Sequence, residues 1–98
     1  MIFRRKNKQA IDKVKFILMD KNVDVYKLAN QLLKGRPLII NFEDFSAIEA
    51  NKIITFLSGV TYAIDGEIES IKKDIFLFAT KQDYKDGSLR KFVNEYKE

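Results

Sequence analysis

The stretch 38-LIINFEDFSAIEANKIITFLSGVTYAIDG-66 decides how this chain folds. Leu38 to Phe42 is a short apolar run, the signature of a buried strand. Ser46 follows within one turn, and Glu49 three residues later completes a capping box, so a helix starts there. Ala50, Ile53, Ile54, Leu57, Thr61 and Ile64 then recur on one helical stripe until Gly66. A strand running into a long amphipathic helix points to an α/β layer architecture.

Working outward, Val14 to Met19 (VKFILM) reads as an earlier buried strand. Val25, Leu28, Ala29, Leu32 and Leu33 fall at i, i+3, i+4, i+7 and i+8, the apolar face of a first helix. Asn22 or Asp24 caps its start, and Gly35 with Pro37 beyond marks its end. After Gly66 the period changes to two. Glu67 to Ile71 reads as a half-exposed strand with Glu67 and Glu69 on one solvated face; Lys72-Lys73-Asp74 makes a turn, and Ile75 to Thr80 is a central strand. Leu89, Phe92, Val93 and Tyr96 form a short terminal helix after Asp86-Gly87-Ser88. The fold class expected is α/β (α+β): a two-layer sandwich with a β-α-β-α-β-β core, a mixed sheet and a short C-terminal helix. Apolar residues on both strand faces leave room for a cover on the second face, another copy of the chain being one source.

Ninety-eight residues make one domain. Residues 1–12 read as a basic tail and possible membrane anchor, and residues 13–98 as the domain. Cysteine and histidine are absent, which removes disulfides, Ser–His and Cys–His nucleophiles and the usual zinc sites. The four glycines are too far apart for a phosphate loop. No carboxylate set suggests acid–base catalysis, so no enzyme, cofactor or metal is expected. The net charge of +4 sits entirely in Arg4, Arg5, Lys6 and Lys8, because the remaining 14 basic and 14 acidic groups cancel. With Met1, Ile2 and Phe3, this start suits weak attraction to an anionic membrane, the alternative being a solubilising tail.

The long helix carries apolar residues where solvent-facing ones are expected. Lys52, Phe56, Gly59 and Ala63 line up along its outer flank, with Ile48 and Tyr62 nearby. Gly59 and Ala63 permit close approach of another backbone. This favours a contact surface over the plainer alternative, in which Phe56 widens the core stripe and Gly59 is a weak point. The expected dimer interface is Ile48, Phe56, Gly59 and Ala63, with Phe92 and Tyr96 packing there in cis or in trans.

The phrase Phe56-Leu57-Ser58-Gly59-Val60-Thr61-Tyr62-Ala63-Ile64-Asp65-Gly66, followed by Asp74-Ile75-Phe76-Leu77-Phe78, closely resembles the core of the SepF cell-division family. Leu38 to Phe42 looks like that family's strand before the helix, and Ala50 to Ile54 falls at the matching offset. The resemblance spans about residues 14–80. It implies a non-enzymatic adaptor that dimerises or polymerises, binds the C-terminal tail of the GTPase FtsZ, and tethers it to the inner face of the cell membrane at the division site. On that reading Lys52, Phe56 and Tyr62 bind the partner, and Met1, Ile2, Phe3, Arg4, Arg5, Lys6 and Lys8 meet the membrane. Two departures stand out: family members usually carry a long polar linker before the domain, and a longer, more apolar anchor. The alternative is a small dimeric nucleic-acid binder of Alba-like topology, which has the same strand and helix order. Such binders crowd Lys and Arg onto the hairpin, whereas here Glu67, Glu69 and Asp74 answer Lys72 and Lys73.

Overall fold

In a computed structural model of the chain, residues 9–97 are described. The residues assigned above to the membrane, Met1 to Arg5, Lys6 and Lys8, lie outside them. The elements are a 3-10 turn at Ala10–Lys13, β1 at Lys15–Leu18, α1 at Val25–Leu33, β2 at Leu38–Asn41 and α2 at Ala47–Ala63. There follow β3 at Gly66–Lys72, β4 at Ile75–Thr80, a one-turn α3 at Lys81–Tyr84 and α4 at Ser88–Tyr96. The strands form one mixed sheet in the order β1-β2-β4-β3. β1 and β2 are parallel across the α1 crossover, whereas β4 runs antiparallel to both β2 and β3. The expected α+β sandwich with a mixed sheet is the fold observed.

Local chemistry sets the element ends. Asp24 caps α1, its carboxylate accepting from the Tyr26 and Lys27 amides. Gly35 ends that helix at φ +85°, a left-handed conformation that glycine adopts without steric cost. Ser46 Oγ accepts from the Glu49 amide at 3.2 Å and donates to the Glu49 carboxylate, which fixes the first turn of α2. The other end of α2 is closed by a tight approach. A Cβ on Gly66 would lie 2.6 Å from both the Ala79 carbonyl oxygen and Thr61 Cγ2. Only glycine lets the chain leave α2 and pass this close to β4.

The central strands β2 and β4 are buried from both sides. On one face Leu38, Ile40, Phe42 and Phe78 pack with Leu28 and Leu32 of α1 and Ala50 and Leu57 of α2. On the opposite face Ile39, Leu77, Ala79 and Ile71 pack with Leu89 and Val93 of α4 and Ala10 of the 3-10 turn. The cover of the second face therefore comes from the chain itself, as a partial third layer. The run Val14 to Met19, expected as a buried strand, supplies the edge strand β1: Phe16 and Leu18 are more than half exposed because α4 covers this edge only in part, through the contact of Phe92 with Phe16. Glu69 is likewise not on a solvated face. Its side chain is only 18% exposed and pairs with Arg90 and Lys97 at the two ends of α4. Beside this pair the Arg90 guanidinium lies 5.3 Å from the Tyr84 ring, whose hydroxyl donates to the Glu67 carbonyl. Burial, then the Glu69 and Glu67 charges, push the Tyr84 phenol well above its ordinary pKa, so it remains a donor at all physiological pH.

The first element among the described residues starts at Ala10, inside the segment read as a tail. The Ala10 amide donates to Asp86 Oδ2 at 2.7 Å, the Ile11 amide to Ser88 Oγ at 3.0 Å, and Lys13 pairs with Asp83 at 2.7 Å. These contacts clasp the start of the domain to its C-terminal segment. Hydrogen bonds from Ser88 and from the Ala10 amide hold the Asp86 carboxyl below the usual carboxylate range. A depressed folded pKa stabilises the fold above the unfolded value of about 4 and loses that contribution as pH falls below it. Asp86→Ala should therefore destabilise more at pH 6 than at pH 2, read by urea unfolding at each pH. Gly66→Ala should lower stability by about 1–3 kcal/mol through overpacking against backbone that cannot retreat, measured the same way.

Candidate functional site

The outer side of the helical layer carries the predicted contact residues. Ala50, Leu57 and Thr61 anchor α2 to the sheet, so the residues a half-turn away face outward. Phe56 is 41% exposed and meets Tyr26 of α1 edge-on, with ring centroids 5.6 Å apart. Ile48, Tyr62 and Tyr26 are each more than 70% exposed. Lys52, one turn before Phe56, is exposed and forms no ion pair among the described residues. Ala63 is also exposed, and a Cβ on Gly59 would meet nothing within 4 Å. Among the described residues, nothing packs against Gly59. The structure therefore brings Lys52, Phe56, Gly59 and Ala63 onto a common outer surface and adds Tyr26, which the sequence reading missed. Its signal was an aromatic directly after Val25, off the apolar stripe of α1, where a polar residue is the norm.

Phe92 and Tyr96 belong elsewhere. They lie on the opposite side of the sheet, packed on each other at 4.5 Å, with Phe92 edge-on to Phe16 at 5.9 Å. Packing in cis against the α2 flank is thereby ruled out, since the four-stranded sheet stands between them. Together with Leu18, Ile39 and Ile75 they line a shallow apolar groove of about 360 Å³ beside the β1 edge. One interface formed by a single face cannot contain both sets.

Among the described residues, no group of three or more acidic side chains lies close enough to hold a metal ion. No described helix is long and apolar enough to cross a membrane. The β3–β4 hairpin carries Glu67, Glu69 and Asp74 alongside Lys72 and Lys73, and Glu69 is engaged by Arg90 and Lys97 from the α4 segment. What the geometry presents is two exposed apolar surfaces, one on each side of the sheet.

Residues 14–82 match the model of the family described as cell division protein SepF. The chain belongs to the SepF family. Curated relatives with that name include a protein of Limosilactobacillus reuteri, 44% identical over 67% of this chain and 48% of its own length. Another, from Lactiplantibacillus plantarum, is 48% identical over 55% of this chain and 39% of its own length. A third, from a Thermoanaerobacter species, is 33% identical over 84% of this chain and 60% of its own. The chain spans about half the length of the curated relatives it matches. The match contains β1 to β4 with α1 and α2, hence the whole Tyr26–Phe56 surface. The 3-10 turn and α4, which clasp each other on the second face, lie outside it.

The space around Gly59 gives a direct test of the α2 surface. Gly59→Ala should raise the stability of the isolated chain by up to about 1 kcal/mol, since alanine is the better helix former and meets no neighbour. A loss of stability in dilute solution, read by thermal unfolding, would mean that Gly59 is held close to another part of the same chain.

Proposed function

We propose that this SepF-family chain is a non-enzymatic adaptor of cell division that dimerises through the outer flank of α2 and binds the C-terminal tail of FtsZ beside that contact. Ile48, Phe56, Gly59 and Ala63 form the dimer surface. Lys52, Phe56 and Tyr62 grip the tail, with Tyr26 as a further aromatic wall. The observation that carries this reading is the exposed Tyr26–Phe56 pair beside an unpaired Lys52 and an open Gly59. Exposed aromatics on a helix surface cost solubility unless a partner covers them, and aromatics dominate interface energetics. A lysine one turn away suits a tail that combines apolar anchors with acidic groups. Phe92 and Tyr96, with Phe16, make a separate self-contact on the second face, which suits assembly beyond a dimer. Residues 1–8 hold the assembly at the inner face of the cell membrane, each tail weakly and several together firmly. The nucleic-acid reading draws no support from the acidic residues on and beside the hairpin.

Two measurements test this. Sedimentation should show a dimer at micromolar concentration, and Gly59→Trp should leave a folded monomer. An FtsZ C-terminal peptide should bind, and Phe56→Ala should weaken it about tenfold or more while the fold persists. Unchanged peptide affinity in both Phe56→Ala and Lys52→Ala would refute the placement.

A further inference from the structure

The charges of the domain cancel in sum but not in space. The strand register places the starts of β1, β2 and β3 and the end of β4 at one end of the sheet, since Lys15 pairs with Leu38, Leu38 with Phe78 and Gly66 with Thr80. The 3-10 turn, the end of α1, α3 and the start of α4 gather at that end. It holds Lys13, Lys15, Lys34, Arg36, Lys81 and Lys85 against Asp12, Asp65, Asp83 and Asp86. The opposite end holds Asp20, Asp24, Glu43, Asp44, Glu49 and Asp74 against Lys21, Lys27, Lys72 and Lys73. The molecule is therefore polarised along its strands.

At the basic end most acids are already engaged. Asp83 pairs with Lys13, Asp65 with Lys81 at 3.2 Å, and Asp86 accepts from the Ala10 and Ser88 amides. Lys34, Arg36 and Lys85 are exposed and have no ion-pair partner among the described residues. They flank Lys13 from two sides. Lys34 and Arg36 share one shallow hollow with Lys13, and Lys85 shares the next. Lys15 extends this band along the sheet edge, its amide bonded to the Pro37 carbonyl at 3.0 Å. The described chain begins at Gln9 beside this band, so Arg4, Arg5, Lys6 and Lys8 are tethered within about 20 Å of it by chain length alone.

We propose that this end of the folded domain is itself an anionic-lipid-binding surface, in which Lys34, Arg36 and Lys85 meet phosphate-bearing headgroups while the acidic end points away. The inference rests on the membrane reading of residues 1–8 and adds an orientation to it. Anionic lipid attracts the band, and the same field repels the acidic end, so the domain stands with its strands across the membrane plane. The helical flank that carries Phe56 then faces sideways, open to neighbours on the same surface.

The test is flotation of the full chain with vesicles of phosphatidylcholine containing phosphatidylglycerol. Lys34→Gln, Arg36→Gln and Lys85→Gln combined should lower partitioning about ten- to hundredfold. Lys21→Gln, Lys27→Gln and Lys72→Gln combined remove the same charge elsewhere and should change it less than about twofold. Equal losses from both triple variants would reduce the effect to net charge and overturn the proposal. So would an unchanged Lys34/Arg36/Lys85 variant; if deletion of residues 1–8 then abolished binding, the tail reading would stand alone. Conversely, a deletion that binds normally while the Lys34/Arg36/Lys85 variant does not would sink the tail reading and keep this one. Absence of binding by the full chain, or tighter binding to duplex DNA than to vesicles at the same salt, overturns it.

Discussion

Burial of β2 from both sides is the constraint on which the rest depends. Leu38 and Ile40 are fully buried on one face and Ile39 is nearly so on the other. A side chain of this size contributes about 1.5–3 kcal/mol when removed from water, and the strand has no solvated side on which to place it. Both faces of the sheet must then be covered by a chain of only 98 residues. The α1–α2 pair does this on one face, burying Leu38, Ile40 and Phe78 and leaving only Ile17, Ile68 and Phe76 partly exposed. On the other, α4 and the 3-10 turn suffice for β4 and half of β2 and leave β1 partly bare.

That unequal cover leaves two exposed apolar surfaces. On the helical side the apolar excess lies outside the core stripe, as Phe56 leaning on Tyr26 with Tyr62 free beyond. On the second face it is the strip of Phe16 and Leu18, which α4 covers only in part, with Tyr96 at the end of that helix. The clasp of Ala10, Ile11 and Lys13 to Asp86, Ser88 and Asp83 joins the start of the described chain to its C-terminal segment, at the basic end of the sheet. On the reading proposed above, the α2 flank serves both the partner and the dimer contact, the second face serves further self-contact, and the basic end faces the membrane.

The core elements were legible because each is local and periodic. The stripe from Ala50 to Ile64, the Ser46 cap and the Gly35 stop specify α2 and α1 without reference to the rest of the chain. Strand order was less legible. VKFILM is as apolar as a central strand, and only the sheet arrangement shows that Phe16 and Leu18 lie at a partly covered edge. Glu69 was misread for the same reason: alternation gives its face, but only the return of α4 supplies Arg90 and Lys97 to it. The Phe92–Tyr96 pair was recognised as a contact feature, yet its separation from α2 depends on which face α4 crosses. Sequence period carries no information about that choice. The 3-10 turn was invisible because its stability comes from Asp86 and Ser88, more than seventy residues away.

Hydrogen–deuterium exchange of the chain with and without an FtsZ C-terminal peptide tests the central claim most directly. The account predicts new protection within residues 47–63 and at the start of α1 around Tyr26, with exchange in β1 and α4 unchanged. Protection confined to Phe16, Phe92 and Tyr96, with α2 unaffected, would contradict it and move the partner site to the second face of the sheet.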